Sequence, residues 1–241
     1  MENREAKRVH TSLLADIEKR CLIWMARRMP ARINSDHLTF LGAIAMFGVG
    51  VSYALAPHYS WLLFAVVGLL AVNWFGDSLD GTLARVRRHE RPRYGFYVDH
   101  VLDALGILFL FGGLMLGGYM SPWIAGGFLI AYYLLNIEIA LATYAVGVFK
   151  ISYWRFGPTE LRILMAIGTL QLLRSEFVTI FGERVLLFDL GGAVAIIGLL
   201  ATFVAAAVRN TVTLYRREPL PGRQTASQDR VTRAVLAAAH E

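Results

Sequence analysis

The sequence GDSLDGTLARVRRHERPRYGFYVDHVLDALG, residues 76–106, combines four acids with apolar runs on either side of a basic loop. The acids are Asp77, Asp80, Asp99 and Asp103. The whole chain of 241 residues is 56% hydrophobic and only 17% charged, with a mean hydropathy of +0.49, which is too apolar for an ordinary soluble domain. The stretch therefore predicts acids placed at or inside the spans of a membrane protein.

Six segments are long and apolar enough to cross a bilayer, which takes about 20 residues. They are residues 37–56, 61–84, 95–118, 122–148, 159–180 and 186–209. With six crossings, all of the 24 Lys and Arg residues except Arg174 and Arg184 fall on one side. Basic loops stay in the cytoplasm. We therefore expect an all-α bundle of six transmembrane helices with both termini cytoplasmic.

Three regions follow from this layout. Residues 1–36 form a cytoplasmic N-terminal segment, residues 37–215 the transmembrane domain, and residues 216–241 a polar, flexible cytoplasmic tail. Within the first region, residues 9–29 space apolar side chains among basic ones, which predicts an amphipathic helix on the membrane surface, with a solvated coil as the alternative. The net charge of +6 suits contact with anionic membrane lipids and requires no nucleic-acid partner.

Helical spacing orients the four acids. Asp77 and Asp80 are separated by three residues and Asp99 and Asp103 by four, so each pair lies on one helix face. Asp77 and Asp103 each lie about 13 Å from the cytoplasmic end of their predicted helix, at about 1.5 Å per residue. The two pairs can therefore face each other at the same depth.

Carboxylates at this depth need cations. An ionised acid inside a membrane costs at least about 2.5 kcal/mol, and four together also repel one another. Clustered carboxylate oxygens favour divalent ions such as Mg²⁺ or Mn²⁺, and two such ions suit displacement at phosphorus. Gly81, Ala84 and Gly95 would leave a groove without side chains beside the acids, where a nucleotide can approach the backbone. The alternative is that these small residues only pack helices together.

The complete pattern resembles the signature of the CDP-alcohol phosphatidyltransferases, integral membrane enzymes of phospholipid synthesis. It reads Asp77-x-x-Asp80-Gly81-x-x-Ala84-Arg85, followed by Gly95-x-x-x-Asp99-x-x-x-Asp103. Nine residues, 86–94, separate its two halves where eight are usual, and we expect the extra one to change only the loop. The resemblance extends over about residues 9–215. Ser35 and Asp36 stand where Pro and Asn are common, so we assign no site residues to residues 33–42.

The resemblance implies a role for each signature residue. Asp77, Asp80 and Asp99 would hold two metal ions, and Asp103 would share in the metal site and act as general base. The CDP moiety would lie against Gly81, Ala84, Arg85 and Gly95. The resemblance also implies a homodimeric, multi-pass protein of the inner (cytoplasmic) membrane, with its active site facing the cytoplasm.

The acceptor is less clearly indicated. The signature fits transfer of a phosphatidyl group from CDP-diacylglycerol to a small polar alcohol, and equally transfer of a head group from a CDP-linked alcohol to a lipid alcohol. We favour the first because residues 150–164 gather charges beside a helix start, which favours anions. The acceptor-site candidates are Glu138, Glu160 and Arg162. Because Arg162 lies outside the signature, we expect its loss to weaken acceptor binding more than donor binding.

Two other classes of function remain open. A cation transporter can also use intramembrane acids, and a lipid-binding scaffold can use a basic face. The acids here are confined to one helical hairpin and the sequence contains no internal repeat, whereas transporters often have repeated halves. A scaffold has no need for intramembrane carboxylates. The sequence therefore favours the enzyme.

Overall fold

The computed structural model describes residues 15–146 and 158–218. In these two ranges the chain is almost entirely helical. The elements in chain order are α1 (Ala15–Arg28), α2 (Ser35–Leu55), α3 (Leu62–Arg87), α4 (Pro92–Leu116), α5 (Pro122–Val146), α6 (Pro158–Leu172), β1 (Phe177–Ile180), β2 (Glu183–Leu186) and α7 (Leu187–Arg217). Two predicted parts of the chain lie outside the described residues. They are the tail from residue 219 onward and the first part of the charged segment 150–164, with Lys150 and Arg155.

Five helices are long and apolar enough to cross a membrane. They are α2, α3, α4, α5 and α7, with 21 to 31 residues and mean hydropathies of 1.7 to 2.3 over their most apolar windows. Their starts lie within a few residues of the predicted spans. The protein is therefore a multi-pass integral membrane protein with a helical fold, as predicted.

The predicted span 159–180 differs from the structure. Helix α6 ends at Leu172 after 15 residues, which is about 22 Å, shorter than the roughly 30 Å hydrocarbon core. Residues 177–186 instead form an antiparallel hairpin in which Ile180 pairs with Glu183. Phe181 and Gly182 make its two-residue turn, both with positive φ, the geometry that matches the twist of paired strands. The six-span count stays a prediction.

Helices α5 and α7 run parallel. At the start of both, the Asp189 carboxylate accepts a hydrogen bond of 2.7 Å from the backbone N–H of Ser121. At the end of both, Arg217 donates to the carbonyl of Val146 at 3.3 Å. The chain must therefore return from one end of the bundle to the other between these helices.

Helix α6 and the hairpin make this return. The first turns of α6 contact α3 through Arg162 and Asn73, and its last turns contact the end of α2, where the Thr169 and Tyr53 hydroxyls lie 2.5 Å apart. We call the end of the bundle that carries the α3–α4 connection the basic end and the opposite one the far end. Helix α6 thus runs from the basic end toward the far end.

Glycines bring α2 into backbone contact with both neighbouring helices. A Cβ on Gly113 of α4 would overlap the carbonyl oxygen of Gly50, and one on Gly76 of α3 would lie 2.5 Å from the carbonyl oxygen of Leu38. Such close approach is available only to glycine. Helix α2 therefore holds α3 and α4 in a fixed relation.

The apolar core fills the far end. Its fully buried members include Val49 and Tyr53 late in α2, Val66 early in α3 and Leu114 late in α4. The acids lie in the other half of α3 and α4. The core therefore closes the bundle at the far end and leaves the polar residues near the basic end.

Helix α1 packs beneath the basic end. Its Leu22 and Ala26 are buried against α2 and α3, whereas Arg20, Trp24 and Arg27 are exposed. A helix is therefore confirmed for residues 15–28, and the solvated-coil alternative is wrong there, whereas the location of this helix on the membrane surface stays a prediction. Residues 9–14 of the predicted helix lie outside the described ones.

Candidate active site

Helices α3 and α4 bring three of the four predicted acids together. Asp77, Asp99 and Asp103 each offer a carboxylate oxygen, and these oxygens lie within 4.8 Å of one another. Asp77 and Asp99 are partly buried, and Asp103 is exposed. The cluster is therefore open on the side of Asp103.

This donor set fits a hard divalent cation. Mg²⁺ binds oxygens at about 2.0–2.1 Å, so ligands on opposite sides of one ion are about 4.2 Å apart. Ligands on adjacent positions of one octahedral ion are only about 3 Å apart, so the three carboxylates, whose oxygens lie within 4.8 Å of one another, must close around the ion to share it. All three ligands are carboxylates, the type that Mg²⁺ and Mn²⁺ prefer.

Asp80 is oriented by α2. Its Oδ2 accepts a hydrogen bond of 2.5 Å from the Thr39 hydroxyl, and its Oδ1 accepts one from the backbone N–H of Gly81. Its oxygens are not part of the group within 4.8 Å. Thr39 belongs to residues 33–42, for which no site residue was predicted. The family resemblance could have indicated Thr39. The pattern common at this point of the chain in that family is Pro-Asn-x-Leu-Thr, and Leu38 and Thr39 match its last two positions.

Arg162 of α6 reaches into the acid cluster. Its Nη2 forms an ion pair with Asp77, and its Nε donates to the Asn73 Oδ1 at 2.8 Å. Asn73 in turn donates to the carbonyl of Gly42 at 3.1 Å. The expectation that Arg162 lies apart from the signature hairpin is therefore wrong. The reason is the antiparallel packing of α6 on α3, which puts the first turns of α6 beside Asn73.

One guanidinium nitrogen of Arg162 has no hydrogen-bond partner in the part of the chain that the structure describes. This atom, Nη1, is buried. A buried donor left unpaired costs about 1–3 kcal/mol, and more when it is charged. The atom is therefore suited to an anionic oxygen of a ligand.

Little surrounds the two glycines that the resemblance assigns to CDP binding. A Cβ on Gly81 would meet only the guanidinium of Arg85, 3.5 Å away, and one on Gly95 would meet nothing within 4 Å. Within residues 15–146 and 158–218, neither glycine packs against another helix, which argues against the helix-packing alternative for both. Ala84 is partly buried, and Arg85 donates to the Thr82 hydroxyl at 3.1 Å.

The loop between the two halves of the signature is fastened at both ends. Arg87 donates to the carbonyls of Met29 and Pro30 at 2.8 and 2.9 Å. Arg91 forms an ion pair with Asp36 of α2, and this hydrogen bond raises the pKa of the Arg91 guanidinium, so it stays charged. The extra residue between the two signature halves lies in this connection, and Asp77, Asp99 and Asp103 still lie close together.

The two remaining acceptor candidates have different surroundings. Glu138 is buried in α5 and accepts a hydrogen bond of 2.6 Å from Asn210 of α7, so it takes part in hydrogen bonding within the bundle. Glu160 is partly buried in the first turn of α6, two residues before Arg162. The structure therefore brings Arg162, but not Glu138, into contact with the signature residues.

Helix α1 also contributes a polar contact that the sequence did not indicate. The Oε1 of Glu18 accepts hydrogen bonds from the Trp74 indole at 2.8 Å and from the Thr159 hydroxyl at 2.7 Å. No local pattern predicts this contact, because its three residues are far apart in sequence.

Comparison with known proteins agrees with this geometry. The family model described as CDP-alcohol phosphatidyltransferase matches residues 33–213, which include every signature residue. No curated protein matches the chain. Members of this family use divalent metals and transfer phospholipid head groups between a CDP-linked substrate and an alcohol. The chain therefore belongs to the CDP-alcohol phosphatidyltransferase family of membrane transferases.

Proposed function

We propose that the protein transfers a phosphatidyl group from CDP-diacylglycerol to a small polar alcohol and releases CMP. The observation that carries this proposal is the convergence of Asp77, Asp99 and Asp103 on the two helices whose Gly81 and Gly95 contact no other described helix, together with the Nη1 of Arg162, which has no hydrogen-bond partner among the described residues. The acids suit a pyrophosphate bound through metal, and the guanidinium suits a charged acceptor.

The four acids would hold the metal, which we propose to be two Mg²⁺ or Mn²⁺ ions. Asp77, Asp80 and Asp99 are the main ligands, with Asp103 sharing in the site. When bound, the ions would neutralise phosphate charge and stabilise the departing CMP oxygen. The Thr39 hydroxyl orients Asp80 for this role.

Asp103 would act as the general base. It is the most exposed acid of the cluster, so an alcohol can approach it. Its carboxylate takes the hydroxyl proton as the alcohol oxygen bonds to the β-phosphorus, and the bond from that phosphorus to the CMP oxygen breaks. Gly81, Ala84 and Gly95 would admit the CDP moiety, and Arg85 would place a fixed positive charge near its phosphates.

Arg162 would bind the acceptor. Its buried Nη1 can pair with a phosphate or carboxylate of the acceptor, and charge-assisted bonds of this kind are strong. Glu160, two residues away, is the second candidate. The alternative reaction uses an uncharged lipid alcohol, which has no group to pair with this cation, and this favours the phosphatidyl transfer.

We also propose the membrane arrangement. Six crossings with both termini cytoplasmic are supported by the one-sided distribution of Lys and Arg and by the parallel α5 and α7, which require a return through α6. The basic end, with the active site, would then face the cytoplasm from the inner membrane. The regions would divide as residues 1–36, 37–215 and 216–241.

Anionic lipids would contact the outer face of α1. Arg20, Arg27 and Arg28 are exposed there, and the Arg28 guanidinium lies 4.0 Å from the ring centroid of Trp24. An aromatic ring among cations suits the lipid head-group region. A homodimer is proposed from the family resemblance.

The test is product analysis with purified protein in lipid nanodiscs. The donor is CDP-diacylglycerol, the acceptors are small polar alcohols with and without a phosphate or carboxylate, and Mg²⁺, Mn²⁺ or a chelator is added. We expect CMP and a new phospholipid in equal amounts, only with metal, and none from Asp99→Asn. A product formed only from a CDP-linked head group and diacylglycerol would support the alternative reaction. Cation uptake into sealed vesicles without CMP release would support a transporter.

A further inference from the structure

One carboxylate oxygen of α1 joins two of the helices that form the site. The Oε1 of Glu18 accepts hydrogen bonds from Trp74 of α3 and from Thr159 of α6, at 2.8 and 2.7 Å. Hydrogen bonds to a carboxylate are stronger than those between neutral groups. Glu18 therefore fixes the distance between α3 and α6 on the side of α1.

The two donors lie one helical turn from the site. Trp74 precedes Asp77 by three residues, and Thr159 precedes Arg162 by three. Asp77 and Arg162 form their own ion pair, so α3 and α6 are joined at two neighbouring levels. The two contacts together define the orientation of the first turn of α6.

That turn has little apolar packing of its own. The buried residues of α6 are Thr169 and Leu172, both in its second half. Side chains near its start, such as Leu161, Ile163 and Leu164, are exposed. The position of Arg162 therefore depends on polar contacts rather than on the core.

Glu18 is itself held firmly. It lies four residues before Leu22 and eight before Ala26, on the helix face that is buried against Leu79 and Leu83. Arg87 fastens the end of the same helix through the carbonyl of Met29. Helix α1 therefore provides a rigid support for the carboxylate.

We propose that Glu18 is a positioning residue for acceptor binding, acting through Thr159 on the orientation of Arg162. The proposal rests on the proposed function, because it takes Arg162 as the group that binds the acceptor. It makes α1 a part of the active-site architecture in addition to any contact with lipid.

The test compares Glu18→Ala, Glu18→Gln and Thr159→Val with Lys19→Gln, a charge-removing change at an exposed neighbouring position. Glu18→Ala removes two hydrogen bonds to a carboxylate, so we expect the KM for the acceptor alcohol to rise about tenfold. The KM for CDP-diacylglycerol should change less than about twofold. Glu18→Gln retains an accepting oxygen and should be milder. Lys19→Gln should match the wild type.

A double-mutant cycle separates positioning from a general structural role. Glu18 and Arg162 are not bonded to each other, so independent effects on the acceptor KM would multiply. If Glu18 acts through Arg162, Glu18→Ala should add little in an Arg162→Ala background. The proposal would be overturned if Glu18→Ala raised the KM values of both substrates equally and if the effects of Glu18→Ala and Arg162→Ala on the acceptor KM multiplied.

Hydrogen exchange gives a readout that needs no turnover. Glu18→Ala should speed amide exchange in peptides from residues 158–168 and leave α5 unchanged, compared with Lys19→Gln. Unchanged exchange there would overturn the positioning role. If the wild type transfers nothing from CDP-diacylglycerol but the exchange effect appears, the proposed function fails and the contact between α1 and α6 stands.

Discussion

The guanidinium of Arg162 has two nitrogens in different surroundings, because one pairs with Asp77 while another is buried without a partner among the described residues. The first contact reduces the negative charge of the acid cluster. The second atom is available to an anionic ligand. Removing the guanidinium should therefore weaken binding of the acceptor and strengthen binding of the metal.

For Arg162→Gln we expect the acceptor KM to rise roughly 10- to 150-fold, since one charge-assisted contact contributes about 1.5–3 kcal/mol. The CDP-diacylglycerol KM should change much less. Mn²⁺ affinity without substrate should increase, because a competing positive charge beside Asp77 is gone. Michaelis curves for each substrate and a Mn²⁺ titration measure these effects. An equal loss for both substrates would indicate a metal-site or folding role, and no loss for either would leave Arg162 with only its structural contacts to Asp77 and Asn73.

Asp103→Asn should abolish transfer and leave CDP-lipid binding largely intact. The substitution preserves size and polarity and removes the base, so the effect should be on kcat. Turnover assays at saturating metal and a binding titration with CDP-diacylglycerol measure the two quantities. Turnover close to that of the wild type would exclude Asp103 as the base.

Asp80→Asn should lose affinity for both metal and nucleotide, because the proposed ion joins the carboxylate to the phosphates. Thr39→Val keeps the carboxylate and removes only its hydrogen bond, so its effect should be in the same direction and smaller. Nucleotide titrations with and without Mg²⁺ measure both variants. Nucleotide binding that is unchanged in Asp80→Asn would argue against this acid as a ligand.

The acids of the site were predictable and their partners on other helices were not. The spacing of Asp99 and Asp103 is local and puts both on one face of α4, and their depth matches that of Asp77 on α3, so the sequence predicted that these acids can meet. Thr39 and Arg162 reach these acids only because α2 and α6 pack on α3. Side-chain spacing within one helix carries no information about such packing.

At the level of elements, helix α4 contains glycines with opposite surroundings. A Cβ at Gly95 meets open space, whereas one at Gly113 overlaps the backbone of α2. Gly112, next to Gly113, also has nothing within 4 Å. The helix therefore offers a binding position, a packing position and a neutral control.

Gly95→Leu should weaken CDP binding with little change in Tm, because its side chain would fill the proposed groove. Gly113→Ala should lower the Tm or the folded yield, since overpacking costs about 1–3 kcal/mol and here involves rigid backbone. Gly112→Ala should keep both binding and stability near those of the wild type. Thermal unfolding and CDP titrations of the three variants measure this. A Gly95→Leu variant with normal CDP affinity would place the nucleotide elsewhere.

The long helices were predicted well, and the hairpin was missed. Uninterrupted apolar runs give the spans of α2 to α5 directly. Residues 177–186 are also largely apolar, and their turn has Phe181 at a φ of 51°, where Asn, Asp or Gly is usual. Because Phe181 is not one of these residues, β1 was predicted as the end of a helix, and most of β2 as the connection to the next one.

At the level of the whole molecule, the single cysteine allows the membrane topology to be tested. Cys21, the single cysteine of the chain, is exposed on α1. Phe181 is fully exposed at the hairpin turn, at the far end. The two residues should lie on opposite sides of the membrane if α6 crosses it.

Labelling sealed vesicles with an impermeant maleimide tests this arrangement. Cys21 should react only when the cytoplasmic face is outward, and Phe181→Cys, made in a Cys21→Ser background, only when the opposite face is outward. The Cys21→Ser chain without new cysteines is the blank. Reaction of both positions from the same face would mean that α6 does not cross the membrane.

The contacts that α2 makes with α3 and α4 limit how this site can be transplanted. Gly76 and Gly113 meet the backbone of the same helix, so α2 sets the separation of the two helices that carry the acids. A designer who grafts only residues 76–106 onto another scaffold would move the carboxylates without the part that spaces them. The smallest unit that carries both the acids and their spacing is therefore three helices, residues 35–116, which include Thr39 but not Arg162.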